Sequence, residues 1–115
     1  MKYRSVAAIL PGEPIEMGST TVKQSLPTIR VERVDPFLLL HHFGPYEVVP
    51  PFDPLDVGPH PHRGFVPVTL LYKGELRHRD SRGNEGILRS GDVQWMTAGR
   101  GIIHSERASR DFLEQ

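Results

Sequence analysis

The sequence predicts an all-β domain, a sandwich or barrel of short strands, on three observations. Eleven prolines and eleven glycines among 115 residues leave little room for helices of ordinary length, because proline removes a backbone donor and crowds the preceding turn. Polar and apolar residues alternate over short runs, the period of a strand with one buried face. Through the second half, a turn signal interrupts these runs every few residues.

Taken in order, Lys2 to Leu10 reads as a first strand ended by Pro11-Gly12, and Thr20 to Leu26 and Thr28 to Val34 as two more. Pro36 opens the apolar run Phe37 to Leu40, which leads into His41-His42-Phe43-Gly44. Five prolines between positions 45 and 59 predict an irregular loop leading to a site. Gly64 to Tyr72 is predicted as a strand, with Pro67 marking an edge or bulge because it lacks a ladder donor. Lys73-Gly74 turns the chain into Glu75 to Asp80, and Ser81-Arg82-Gly83-Asn84 turns it again into Glu85 to Arg89. Ser90-Gly91-Asp92 precedes Val93 to Met96, and Ala98-Gly99-Arg100-Gly101 precedes a last strand, Ile102 to Arg107. No repeat or low-complexity tract interrupts this pattern, and the tail Ala108 to Gln115 carries no terminating signal.

The length is that of one domain, residues 1–115, large enough for one core. Fourteen basic residues balance fourteen acidic ones with no basic block, which argues against a surface that binds nucleic acid by neutralising phosphates. The absence of cysteine excludes disulfides, thiolate metal sites and cysteine nucleophiles. The apolar run Val6 to Leu10 is too short for a signal peptide, and nothing approaches transmembrane length. The expectation is a soluble, cytoplasmic chain.

Two pairs carry the chemistry: His60-Pro61-His62 and His104-Ser105-Glu106. Residues at i and i+2 of a strand share a face, so two neighbouring strands could present four ligands to one ion. Pro61, between two inward residues, would face outward. Three imidazoles and a carboxylate suit Fe, Mn, Co, Ni, Cu or Zn better than Ca or Mg, and four ligands on an octahedral ion leave two positions open. On spacing alone, two polar pairs without an ion are equally compatible with these residues.

The stretch Gly58-Pro59-His60-Pro61-His62-Arg63-Gly64-Phe65, with Lys73-Gly74-Glu75-Leu76, His78-Arg79-Asp80-Ser81-Arg82-Gly83-Asn84 and the block Gly91 to Glu106, resembles the pirin family of the cupin superfamily. The resemblance implies a cupin-type β-barrel (a double-stranded β-helix, or jelly roll) and a single iron, Fe(II), held by His60, His62, His104 and Glu106. It implies no catalytic residue beyond these ligands. It also implies one of two roles. Several pirins are described as quercetin 2,3-dioxygenases acting on a flavonol-like aromatic substrate. Others are regulatory modules acting through protein contacts, without turnover.

Two departures qualify the resemblance. Val66 stands where pirins commonly carry glutamate, which removes an acid that could tune the metal from outside its ligand shell. The family is also built of two barrels in tandem, whereas this chain stops soon after the second ligand pair. The barrel is then expected to be incomplete, with an open edge at the strand bearing His104 and Glu106. Open edges pair with other chains, so the expected partner is a second copy in a homo-oligomer or the remainder of a longer protein.

The other candidates are weaker. His41 and His42, beside an apolar run, are read as structural or as the rim of the site, and His78, in a charge-rich strand, as facing solvent. Arg63 and Arg100 flank the ligand pairs and could hold an anionic substrate or simply be solvated. Trp95 is read as core. Ser81 and Ser105 lack a histidine-acid arrangement, which sets hydrolase chemistry aside.

Overall fold

The computed structural model describes residues 1–113. It falls into two compact units, Met1–Pro45 and Tyr46–Gln115.

The first unit holds a three-stranded antiparallel sheet in the order β1-β2-β3, with β1 Glu13–Met17, β2 Thr20–Leu26 and β3 Leu40–His42. Met17 pairs with Thr20 across a tight turn in which Gly18 takes a φ of 62°, a conformation that favours glycine. The alternation read from Thr20 to Leu26 is real: Thr20, Val22 and Leu26 are buried, while Thr21 and Lys23 are exposed. The two flanking expectations are corrected. Lys2 to Leu10 forms no strand, and Thr28 to Val34 is a run of bends. Thr28 caps its own turn through Val31, and Val34 bridges to Phe37, so backbone groups that a strand would use are satisfied locally.

The second unit is built from β4 Val57–His62, β5 Val68–Leu70, β6 Glu75–Asp80, β7 Glu85–Arg89, β8 Val93–Trp95 and β9 Ile102–Ala108. A four-residue helix, α1 Arg110–Leu113, follows. Four strands form an antiparallel sheet in the order β4-β9-β6-β7, and β5 pairs with β8 in a second sheet. The strand predicted from Gly64 to Tyr72 is thus confined to three residues. It begins after Pro67, whose carbonyl accepts from the Met96 N–H. The open edge predicted for the strand bearing His104 and Glu106 is also corrected. β9 is paired on both sides, and the sheet's edges are β4 and β7.

The β6–β7 hairpin follows its sequence closely. Asp80 closes it by accepting from the backbone N–H groups of Arg82 at 2.8 Å and Asn84 at 3.1 Å, and from the Asn84 amide at 2.9 Å. Gly83 supplies the positive φ the turn needs. Across β9, β6 and β7, Ala108, Leu76 and Leu88 stand opposite one another and all are buried; each leucine contributes about 2 kcal/mol by burial. Met96, Ala98 and Ile102 form a second buried cluster. The ligand candidates on β9 lie between Ile102 and Ala108 on the same face. Along β4 an extra residue between Val57 and His60 shifts the register with β9, the signature of a β-bulge.

Candidate metal centre

Cross-strand register assembles the site. His60 on β4 stands opposite His104 on β9, which stands opposite Asp80 on β6. One step along, Glu106 stands opposite His78. Residues directly opposite on adjacent strands share a face, so the sheet presents His60, His104 and Asp80 in one row and Glu106 and His78 in the next.

The histidines of the two predicted pairs converge. His60, His62 and His104 bring one ring nitrogen each within 4.8 Å of one another, and His62 Nε2 lies 3.0 Å from His104 Nε2. Two nitrogens each about 2.1 Å from one ion, at right angles, are separated by about 3.0 Å, so this spacing fits adjacent positions on a divalent ion. The His60 ring stacks obliquely on His104 with centroids 4.3 Å apart. Its Nδ1–H donates to the Gly58 carbonyl at 2.8 Å, which leaves Nε2 as the bare nitrogen. Glu106 groups instead with His104 and His78 within the same 4.8 Å limit, so His104 is the residue that the two groups share. Thr69 Oγ1 and Gln94 Nε2 both donate to Glu106 Oε1, at 3.4 and 3.3 Å.

The electrostatics suit a cation. Burial holds the His104 imidazole down to about 4, helped by the charges of His60, His62 and His78 and opposed by Asp80. Burial, then His60, also lowers His62. Both rings are therefore neutral near pH 7, with lone pairs free to bind metal. Burial raises Glu106, against the opposing effects of His60, His78 and its two hydrogen bonds. A positive ion beside this carboxylate would offset that burial.

Three residues outside the predicted set belong here. His78, expected to face solvent, is buried at 7% exposure. It sits two residues from buried Leu76 on β6, and that parity was the signal to read. Thr69 and Gln94 point at Glu106 from β5 and β8, while Trp95, expected in the core, is 70% exposed. These two strands turn their polar residues inward because Glu106 lies there. His41 is held in its own sheet, where its Nε2 pairs with Gln24 Oε1 at 2.8 Å, a structural role. His42, Arg63 and Arg100 are exposed. Ser81 pins β9 by accepting from the Ile103 N–H at 3.1 Å.

Comparison with known proteins agrees with this architecture. The family profile described as Pirin matches residues 19–114. A pirin-like protein of Caulobacter vibrioides is 40% identical over 113 residues, covering 96% of this chain and 40% of that protein. A pirin-like protein of Solanum lycopersicum is 41% identical over 101 residues, covering 88% and 33%. The crystal structure of a quercetin 2,3-dioxygenase from Acinetobacter baumannii superposes with a TM-score of 0.79 at 38% identity, over 86% of this chain and 33% of that one. The chain spans 28% to 40% of the length of the first curated relatives it matches.

Proposed function

The chain belongs to the pirin family and has a cupin fold, and on that premise we propose that His60, His62, His104 and Glu106 hold one divalent transition metal, Fe(II), in a dioxygenase of the quercetin 2,3-dioxygenase type. Residues 1–115 are read as its N-terminal cupin domain. The observation that carries this reading is the meeting of three imidazoles, with two of their nitrogens 3.0 Å apart, beside a part-buried carboxylate. The same donor set suits Zn, Ni, Mn, Co or Cu.

When bound, the ion supplies Lewis acidity toward a substrate oxygen and a redox-active centre for oxygen chemistry. The chain's own residues prepare for it. The Gly58 carbonyl fixes His60 with Nε2 bare. Burial keeps the His104 ring uncharged at neutral pH, with one nitrogen bare. Thr69 and Gln94 engage one oxygen of Glu106, Oε1, so that Oε2 would be the oxygen offered to a cation.

The test combines metal analysis with turnover. Protein purified without added metal is expected to carry about one transition-metal ion per chain, and the combined His62→Ala and Glu106→Ala substitutions to abolish it. Full occupancy in the double variant would overturn the ligand assignment. Iron-loaded protein is expected to consume quercetin under air faster than free iron does.

A second reading, a metal-bearing module that acts through protein contacts without turnover, is favoured by one observation. Val68, Leu70, Val93 and Trp95 form an exposed apolar face on β5 and β8, and such faces mark contact surfaces. Iron-loaded, folded protein without quercetin turnover selects this reading.

A further inference from the structure

His104 is the hinge of the site, and the atoms behind it form a continuous line. Its Nε2 faces His62 Nε2 at 3.0 Å. Its Nδ1 faces His78 Nδ1 at 3.3 Å. The far nitrogen of His78, Nε2, faces Asp80 Oδ2 at 3.3 Å. All three side chains are withdrawn from solvent: His78 is 7% and His104 3% exposed, and the Asp80 side chain only 4%.

We infer that Asp80 and His78 are positioning residues that fix the tautomer of His104, so that its Nε2 lone pair points at the metal site. The proton positions follow from chemistry. The Asp80 carboxylate accepts from two backbone N–H groups and the Asn84 amide, and an ionised carboxylate can only accept. Its partner nitrogen, His78 Nε2, therefore carries the proton. With one N–H on the ring, placed at Nε2, His78 Nδ1 is the accepting nitrogen. The donor facing it is His104 Nδ1–H, which leaves His104 Nε2 bare and directed at His62. The opposite order would set the bare His78 Nε2 against a carboxylate and aim an N–H of His104 into the ligand cluster. The charge of Asp80, two bonds of the relay away, decides between the two.

The fold builds this line by register. Leu76, His78 and Asp80 share one face of β6, and β9 sets His104 directly opposite Asp80 and Glu106 opposite His78. Asp80 is itself anchored in the β6–β7 turn, so the end of the relay is rigid. His78 also groups geometrically with His104 and Glu106 as a set that could bind metal. In the relay it is a partner of a ligand, because its Nε2 is committed to Asp80 and its Nδ1 to His104. Partners of this kind orient a ligating histidine and raise its basicity, and their loss typically lowers metal affinity about 10–100-fold.

This inference rests on the reading of His104 as a ligand, and its test separates the two. Nitrogen-15 NMR of the histidine side chains in the metal-free protein at neutral pH reads the tautomers directly. His104 is expected as Nδ1–H and His78 as Nε2–H, and His104 is expected to lose that preference in Asp80→Asn. Co(II) affinity, measured by competition with a chromophoric chelator, is expected to fall about 10–100-fold in Asp80→Asn and His78→Leu. His78→Asn, whose carbonyl oxygen takes the place of Nδ1 as an acceptor, is expected to restore most of that loss. A wild-type His104 found as Nε2–H overturns the relay whatever the variants do. So does undiminished Co(II) affinity in both Asp80→Asn and His78→Leu, or a loss in His78→Asn equal to that of His104→Ala, which would make His78 a ligand. Undiminished affinity in His104→Ala would instead overturn the ligand reading on which the relay stands.

Discussion

The two halves of the candidate metal centre are built to different standards. His60 and His62 lie on β4, an edge strand whose register is shifted by a bulge, and both are partly exposed. The support seen for His60 is one backbone carbonyl within its own strand. His104 and Glu106 lie on β9, paired on both sides, and side chains from β5, β6 and β8 engage them. One half can shift with the edge of the sheet, and the other is fixed before any ion arrives. Preorganised ligands lose less freedom on binding, so the β9 half should dominate affinity.

The largest expected effect tests that asymmetry. His104→Ala should lower Co(II) affinity by more than about 100-fold, beyond the loss typical of an outer partner. His60→Ala should lower it by less, since His104 and Glu106 keep the side chains that support them. Equal losses in a chelator competition would remove the distinction between the two halves.

A smaller effect concerns protons. His104 titrates near 4 in the fold against an ordinary 6.5, so between these values the unfolded chain binds a proton that the folded chain does not. Stability of the metal-free protein should therefore hold above about pH 6.5 and fall as pH drops from 6.5 toward 4. Urea unfolding across that range checks it. In His104→Gln the slope should flatten, and a wild-type slope in that variant would assign the effect to another group.

The smallest effect lies on the outer face. Trp95→Ser should change unfolding free energy by less than about 0.5 kcal/mol, because the ring is 70% exposed. A loss of several kcal/mol in thermal or urea unfolding would mean that Trp95 is covered in solution.

What the sequence disclosed divides along the same line. The β6–β7 hairpin has the limits its turn residues predicted, since Ser81 to Asn84 and the flanking alternation are local signals. β1 and β3 were not anticipated, and Lys2 to Leu10 was wrongly expected to be a strand. Pairing with a distant partner, as between β2 and β3, leaves little trace in either strand's own composition. The convergence of His60, His62 and His104 was legible because the i, i+2 spacing of each motif sets its residues on one face. The groups behind them were not. Thr69 and Gln94 face inward while Val68, Leu70, Val93 and Trp95 face outward, the reverse of the pattern that marks a core. Such inversions are expected where a site replaces packing. His78 was lost among arginines, although its spacing from Leu76 gave its direction.

The bulge on β4 governs whether the two ligand pairs can meet at all. Three residue steps along β4, from Val57 to His60, run against two along β9, from Glu106 to His104. If Gly58 and Pro59 each took a partner in regular pairing, with no bulge, His60 would stand opposite Ile103, whose side chain lies on the other, exposed face. Both histidines of β4 would then project away from His104 and Glu106. The motif His-Pro-His is thus in phase with its partner only because the bulge sets Gly58 and Pro59 together against the single residue Ser105. A single-residue deletion at Gly58 would bring Val57 and His60 into step with Glu106 and His104 with no bulge at all, whereas a further insertion there would demand a second unpaired residue to keep the β4 pair on the site's side of the sheet.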